Sequence, residues 1–162
     1  MIIGIAGYAQ VGKDTVFTEY FKPKGFKRLA FADDLKREVS GTFRVSADEI
    51  ARDKEAWRPL LVDWGERRRS QDPFYWVNKV TNWIEPGEDY CITDVRYANE
   101  AMRLQELGGK IILVSRPGFP AANNTEWTSI DEIKNCISPL NHFDNAATKD
   151  DVAYAMASLV IQ

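Results

Sequence analysis

The stretch MIIGIAGYAQVGKDT, residues 1–15, decides how the rest of the chain is read. "MIIGIAG" is a short β-branched apolar run that stops at glycine, the mark of a strand buried on both faces. Behind it, "GYAQVGKDT" (7–15) follows the pattern G-x-x-x-x-G-K-[ST], except that Asp14 stands where a hydroxyl is expected and Thr15 comes one place later. A bare G-x-x-x-x-G-K is weak evidence. Here it leaves a predicted strand and opens a predicted helix, the setting a phosphate-holding loop requires. Gly7 and Gly12 permit turns that aim backbone N–H groups inward, those groups and the helix N-terminus attract phosphate, and Lys13 adds a point charge at the β/γ oxygens. Asp14 keeps two readings open. Its carboxylate is a hard oxygen ligand able to hold magnesium directly or through water, or it is a favourable acid in the first helical turn. Thr15 can reach a phosphate oxygen.

Working outward, the loop opens a helix from 13 to about 21, with Val16, Phe17, Tyr20 and Phe21 on one side. "KRLAFA" (27–32) reads as a second strand and "DDLKREV" as the start of a helix, with a short helix and turns over 42–56. Trp57, Leu60, Leu61 and Trp64 recur at amphipathic-helix spacing. Asp72 then caps a helix with Pro73 at its first position and a stripe of Trp76, Val77, Val80 and Ile84. "EPGEDY" is a turn, "YCITDV" (90–95) a third strand, and "RYANEAMRLQELGG" a helix stopped at Gly108 and Gly109. "KIILVSR" (110–116) is a fourth strand, and "PGFPAANNTEWT" (117–128), broken by two prolines, reads as a loop. A short helix near 129–136, an edge strand around 140–144 and a closing helix opened by Thr148 and Asp151 complete the chain. Strands alternating with helices predict an α/β protein with a parallel sheet covered on both faces. Ligands of such sheets sit beyond the carboxyl ends of the strands, which directs attention to 7–15, 32–36, 94–96, 116–118 and 144–145.

Composition narrows the possible partners. The chain has 162 residues, 44% apolar and 28% charged, the profile of a globular domain. A net charge of -3 and a pI near 5.3 leave no basic excess for a nucleic-acid backbone or an anionic membrane. No apolar run approaches the ~20 residues needed to span a bilayer. Cys91 and Cys136 lack metal or redox spacing and no secretory signal is seen, which points to a reducing, intracellular setting. His142 is the only histidine and takes no catalytic role; without histidine or cysteine clusters, no structural zinc is expected.

Several residues at the predicted mouth can carry chemistry. Asp94, at the end of the third strand, can hold a magnesium-bound water or orient an attacking group, or it can cap the next helix. Arg96 offers a fork of donors to phosphate, and Arg116 introduces the proline-rich loop as an arginine on a flap would, or is a surface arginine. Asp33, Asp34 and Lys36 follow the second strand; Lys36 can meet an acceptor phosphate or belong to a solvated helix face. Arg58 and Arg69 face roughly the same way but lie about 16 Å apart along a helix, too far to grip one phosphate together. Arg67, Arg68 and Arg69 make a local basic cluster. Trp57, Trp64, Trp76 and Trp83 fit core stripes, with Trp76 or Tyr75 also placed to stack on a base.

"GxxxxGKDT", "FADDLK", "RPLLVDWGERRR…DPFYWV", "TDVRYANEA" and "VSRPG", in this order, resemble the phage-type deoxynucleoside monophosphate kinases, within the wider P-loop nucleotide kinases that include adenylate kinase and dephospho-coenzyme A kinase. The resemblance runs to about residue 118 and resumes at "HFDNAATKDDV"; Asp34 stands where such kinases often carry proline. It implies a three-layer P-loop nucleotide kinase fold with a five-stranded parallel sheet of order 2-3-1-4-5. One domain would span 1–162, with an acceptor-binding helical region about 33–84 and a lid-like segment about 117–136. The implied reaction moves the γ-phosphoryl group of ATP to a deoxynucleoside monophosphate, with Mg2+ as cofactor. By similarity, Lys13 and the loop, with Gly7, Gln10, Val11 and Gly12, would hold the donor phosphates, and Asp14, Thr15 and Asp94 would manage magnesium. Asp33, Lys36, Arg58, Arg69 and Trp76 would line the acceptor site. Arg96 and Arg116 would bridge the transferring group, and Asn145 would lie near the donor base. The expected partners are these small molecules, with no nucleic acid and no membrane. The chain is expected as a monomer or homodimer in a cytoplasm, the host's if phage-encoded. Two rivals stand: a kinase of another phosphorylated acceptor such as dephospho-coenzyme A, and a regulatory nucleotide-binding ATPase. Against the second, several arginines stand where a second phosphorylated substrate would bind.

Overall fold

Five strands form the centre of the protein, parallel as the sequence pattern predicts, in the order β2-β3-β1-β4-β5 that the resemblance implies. The computed structural model describes residues 1–145, so the closing helix expected from Thr148 and Asp151 lies outside the described residues. The chain folds as two compact units: Met1–Leu29 together with the chain from Glu85 onward, and Ala30–Ile84 between them in sequence.

The first unit holds the sheet. Strand β1 (Ile2–Ala6) pairs with β3 (Tyr90–Val95) on one side and β4 (Lys110–Ser115) on the other. Ile3, Ile5, Ile92, Ile111 and Ile112 are all 1% exposed or less. Strands buried on both faces have no polar alternation, which is why these segments read as continuous apolar runs. Cys91 sits among them on β3, fully buried. Strand β2 (Lys27–Leu29) flanks β3, and β5 (Asn141–Asp144) flanks β4. Helix α1 (Lys13–Val16) continues as a wider turn over Phe17–Phe21, whose Phe17 and Phe21 join Val11, Val16 and Phe143 in the core. Helix α6 (Ala98–Glu106) buries Ala101 and Leu104, and α7 (Asn124–Cys136) buries Ile130 and Ile133.

The second unit is helical: α2 (Phe31–Phe43), α3 (Ala47–Arg52), α4 (Lys54–Gln71) and α5 (Tyr75–Thr81). Its centre is a half-buried carboxylate. Glu38 on α2 accepts hydrogen bonds from the Trp64 indole (2.9 Å) and Arg68 (2.7 Å) on α4, and from the Tyr75 hydroxyl (2.6 Å) and Lys79 on α5. Burial by itself raises a carboxyl pKa. The four donors, led by Lys79, outweigh it and hold Glu38 at about 2.

Several boundaries depart from the sequence expectation. β2 is only three residues long, and α2 already begins at Phe31, because Ala30 leaves the strand as an extended helix cap. Asp72 does not open a helix with Pro73: its Oδ1 accepts the Phe74 N–H at 2.8 Å in a tight turn, and α5 starts at Tyr75. The segment expected as loop to 128 is already helical from Asn124, because Asn123 caps α7 through the Glu126 N–H at 2.9 Å. Of the four tryptophans expected in the core, only Trp76 is there, 2% exposed; Trp83 is 52% exposed and Trp57 and Trp64 are half-buried. Helical spacing shows that side chains share a face but not how deeply the face is covered.

Candidate phosphate-binding site

Between the end of β1 and the start of α1 the backbone makes a tight cradle. Gly7 (φ 145°), Gln10 (φ 63°) and Gly12 (φ 93°) all take positive φ. A Cβ on Gly7 would stand 2.3 Å from the Val114 carbonyl oxygen, and one on Gly12 would stand 2.3 Å from Asn145 Nδ2. Only glycine fits at either place. Val11 turns its side chain into the core and contributes backbone alone; its carbonyl accepts the Asn145 side-chain amide at 2.8 Å. Asn145 therefore braces the loop from β5's end rather than presenting its amide outward.

Lys13 curls back over the cradle. Its ammonium donates to the Gly7 and Tyr8 carbonyls, both at 2.7 Å. Burial lowers its pKa, as does the Arg96 guanidinium, while the carboxylates of Glu126, Asp94 and Asp14 pull it upward. The structure thus gathers Lys13, Asp14, Asp94 and Arg96 into one electrostatic neighbourhood. β3 carries one residue more than β1 between the Gly4–Ile92 and Ala6–Val95 pairs, so that Thr93 and Asp94 stand against Ile5 alone. The N-cap residue of α6 is Tyr97. Glu100, buried in the first turn, accepts the Arg96 and Tyr97 N–H groups at 2.8 and 3.1 Å.

Asp14 is 84% exposed, with Arg28 Nε 3.9 Å away, and Thr15 is exposed beside it. Asp14 and Thr15 are exposed and Asp94 is half-buried; their oxygens are hard donors, the kind that suits a Mg2+ ion retaining much of its hydration. Arg116 is exposed after β4, its guanidinium 4.5 Å from the Phe119 ring centroid.

The remaining candidates belong to the helical unit. Asp33 and Lys36 face each other at 3.7 Å on α2, Arg58 is exposed on α4, and Arg69 is half-buried farther along it. Trp76 donates its indole N–H to the Gly65 carbonyl at 3.1 Å and is a core side chain, so no open face is left for stacking. Within the basic cluster, Arg68 is committed to Glu38 and lies against the Trp64 and Tyr75 rings. Asp34 is buried, paired with Arg37 and bonded by the Trp83 indole at 3.4 Å.

One residue at the cradle escaped sequence reasoning. Glu126 Oε1 accepts the Ala9 N–H at 2.6 Å, reaching into the loop from α7. The signal was present, since Asn123 and Glu126 have capping-box spacing, but the surrounding prolines and polar residues read as loop.

The sheet order, the cradle and its lysine define the fold of the P-loop kinases of small molecules. A gluconokinase from Sinorhizobium meliloti 1021 superposes with a TM-score of 0.56 at 12% identity, covering 98% of this chain and 91% of its own. A dephospho-CoA kinase from Campylobacter jejuni (TM-score 0.51, 13% identity, 99% and 95%) and a shikimate kinase from Aquifex aeolicus vf5 (0.52, 14%, 99% and 96%) share the fold. No family model matches the chain. Among curated proteins it is similar to a mimivirus protein (Acanthamoeba polyphaga mimivirus) named "Putative deoxynucleotide monophosphate kinase", 24% identical over 158 residues, with 81% of each chain covered. It is also 31% identical over 105 residues to "Uncharacterized protein ORF77" of Ictalurid herpesvirus 1 (strain Auburn); that match spans 59% of this chain but only 46% of the herpesvirus protein. Among the described residues, no helix is long and apolar enough to cross a membrane.

Proposed function

We propose that this protein is a Mg2+-dependent kinase that transfers the γ-phosphoryl group of ATP to a deoxynucleoside monophosphate, giving ADP and the diphosphate. The observation that carries the reading is the cradle itself: a loop turning on Gly7 and Gly12, with Lys13 folded over it and Arg96 and Asp94 acting on the same ammonium. The choice of acceptor is supported by the named mimivirus relative.

The roles follow from charge. Loop N–H groups and Lys13 bind the donor phosphates, and Arg96 with Arg116 neutralises charge on the group in transfer. Asp14, Thr15 and Asp94 would hold Mg2+, which supplies further neutralisation of the phosphate oxygens. Acceptor recognition falls to Asp33, Lys36, Arg58 and Arg69, with Trp76 shaping the helical unit from within. No covalent intermediate is needed, because catalysis is positioning plus electrostatics. Residues 117–136 act as the lid that excludes water from the transfer.

The test is ADP release from Mg-ATP in the presence of each common dNMP and NMP, with dephospho-coenzyme A and water as controls. ADP that forms only with particular dNMPs, and drops at least 100-fold in Lys13→Ala, is the expected result. Release with dephospho-coenzyme A alone would move the reading to that acceptor class, and release that ignores every acceptor would make the protein an ATPase.

A further inference from the structure

Glu126 ties three segments together at the mouth of the loop. One carboxylate oxygen accepts the Ala9 N–H at 2.6 Å, and the other accepts the Ala122 N–H at 2.7 Å. The residue's own N–H is held by the Asn123 side chain at 2.9 Å, so its backbone is fixed at the first turn of α7. Ala9 lies two residues after Gly7 and just before the left-handed Gln10, inside the stretch whose N–H groups are arranged for an anion. One of those donors is thus already answered by an anion that belongs to the protein, through a short charge-assisted bond.

We infer that the Glu126 carboxylate is a built-in competitor for the donor's phosphates, and that it sets donor affinity by having to leave the Ala9 N–H when a polyphosphate enters. The inference rests on the cradle being the donor site. A polyphosphate on the loop and a carboxylate on the same loop repel each other across a few ångströms, and the flexible side chain is the partner that can move. When it moves, the Ala122 N–H loses its acceptor too. Donor binding is thereby linked to the 117–123 segment that precedes α7, and the linkage is reciprocal: whatever loosens that segment tightens the donor.

The experiment titrates Mg-ATP into the wild type, Glu126→Gln, Glu126→Asp and Lys13→Ala by calorimetry, and follows the emission of Trp127, the exposed neighbour of Glu126. Subtracting a Trp127→Phe background isolates that residue's signal. Glu126→Gln removes the charge but keeps the length and an acceptor oxygen; it is expected to tighten Mg-ATP roughly tenfold. Glu126→Asp keeps the charge and should stay within about twofold of the wild type. In the wild type, Mg-ATP should shift Trp127 emission, and in Glu126→Gln the shift should shrink. Unchanged or weaker ATP binding by Glu126→Gln, with thermal unfolding as in the wild type, would overturn the inference and leave Glu126 a brace for the loop. Equal tightening in both variants would overturn the charge argument. If the wild type and Lys13→Ala alike take up no ATP, the donor-site reading falls and this inference with it.

Discussion

At the residue scale, the cradle depends on side chains that are absent as much as on those present. Gly12 has φ 93°, and Asn145 Nδ2 occupies the place where its Cβ would be. Gly12→Ala must therefore strain the backbone and push Asn145 off the Val11 carbonyl. Such a change is expected to cost about 1–3 kcal/mol in urea unfolding and at least tenfold in ATP affinity. An alanine variant that kept both would mean the left-handed turn is not needed to present the loop N–H groups. Lys13 was legible at this scale because its place in a seven-residue pattern is fixed by the chemistry of phosphate. Glu126 was not, since what makes it important is a contact with Ala9, 117 residues away.

At the scale of elements, the helical unit is organised by one acid. Glu38 binds α2 to α4 and α5 through four donors, and its pKa falls from 4.5 to about 2. A depressed carboxyl contributes stability in full above its unfolded value, and that contribution drains away as pH falls through the folded value. The wild type's urea midpoint should thus drop between pH 4.5 and 2 more steeply than that of Glu38→Gln, the loss of this contribution amounting to at most about 3 kcal/mol. At neutral pH Glu38→Gln is expected to be less stable by about 2–3 kcal/mol, because Arg68 and Lys79 lose their shared counter-charge. Parallel midpoints at all pH values would show that the network contributes little. Strands β1, β3 and β4 were readable because burial on both faces leaves an unbroken apolar signature. Asp72 was misplaced because an Asx turn and a helix cap use the same residue for the same type of bond. Trp83 was misplaced because it stays 52% exposed, its ring held against Arg37, 5.1 Å away, a partner that periodicity does not reveal.

For the molecule as a whole, the acidic surface and the local positive cradle belong together. A net charge of -3 repels polyanions in general, while on the proposed reading Lys13, Arg96 and Arg116 would keep a small region receptive to phosphate. The fold also carries two timepieces. Cys136 lies on the surface, whereas Cys91 is sealed in the second strand of the sheet's spatial order, its thiol kept protonated by burial. A thiol-reactive dye should label the chain in two equal steps: an immediate one at Cys136, and a slow one that advances only as often as the sheet parts. Mg-ATP should retard the second step alone, since a ligand that prefers the closed sheet makes partings rarer. The interval between the two steps then reads out the sheet's opening free energy without any denaturant, in a protein that needs no engineered label.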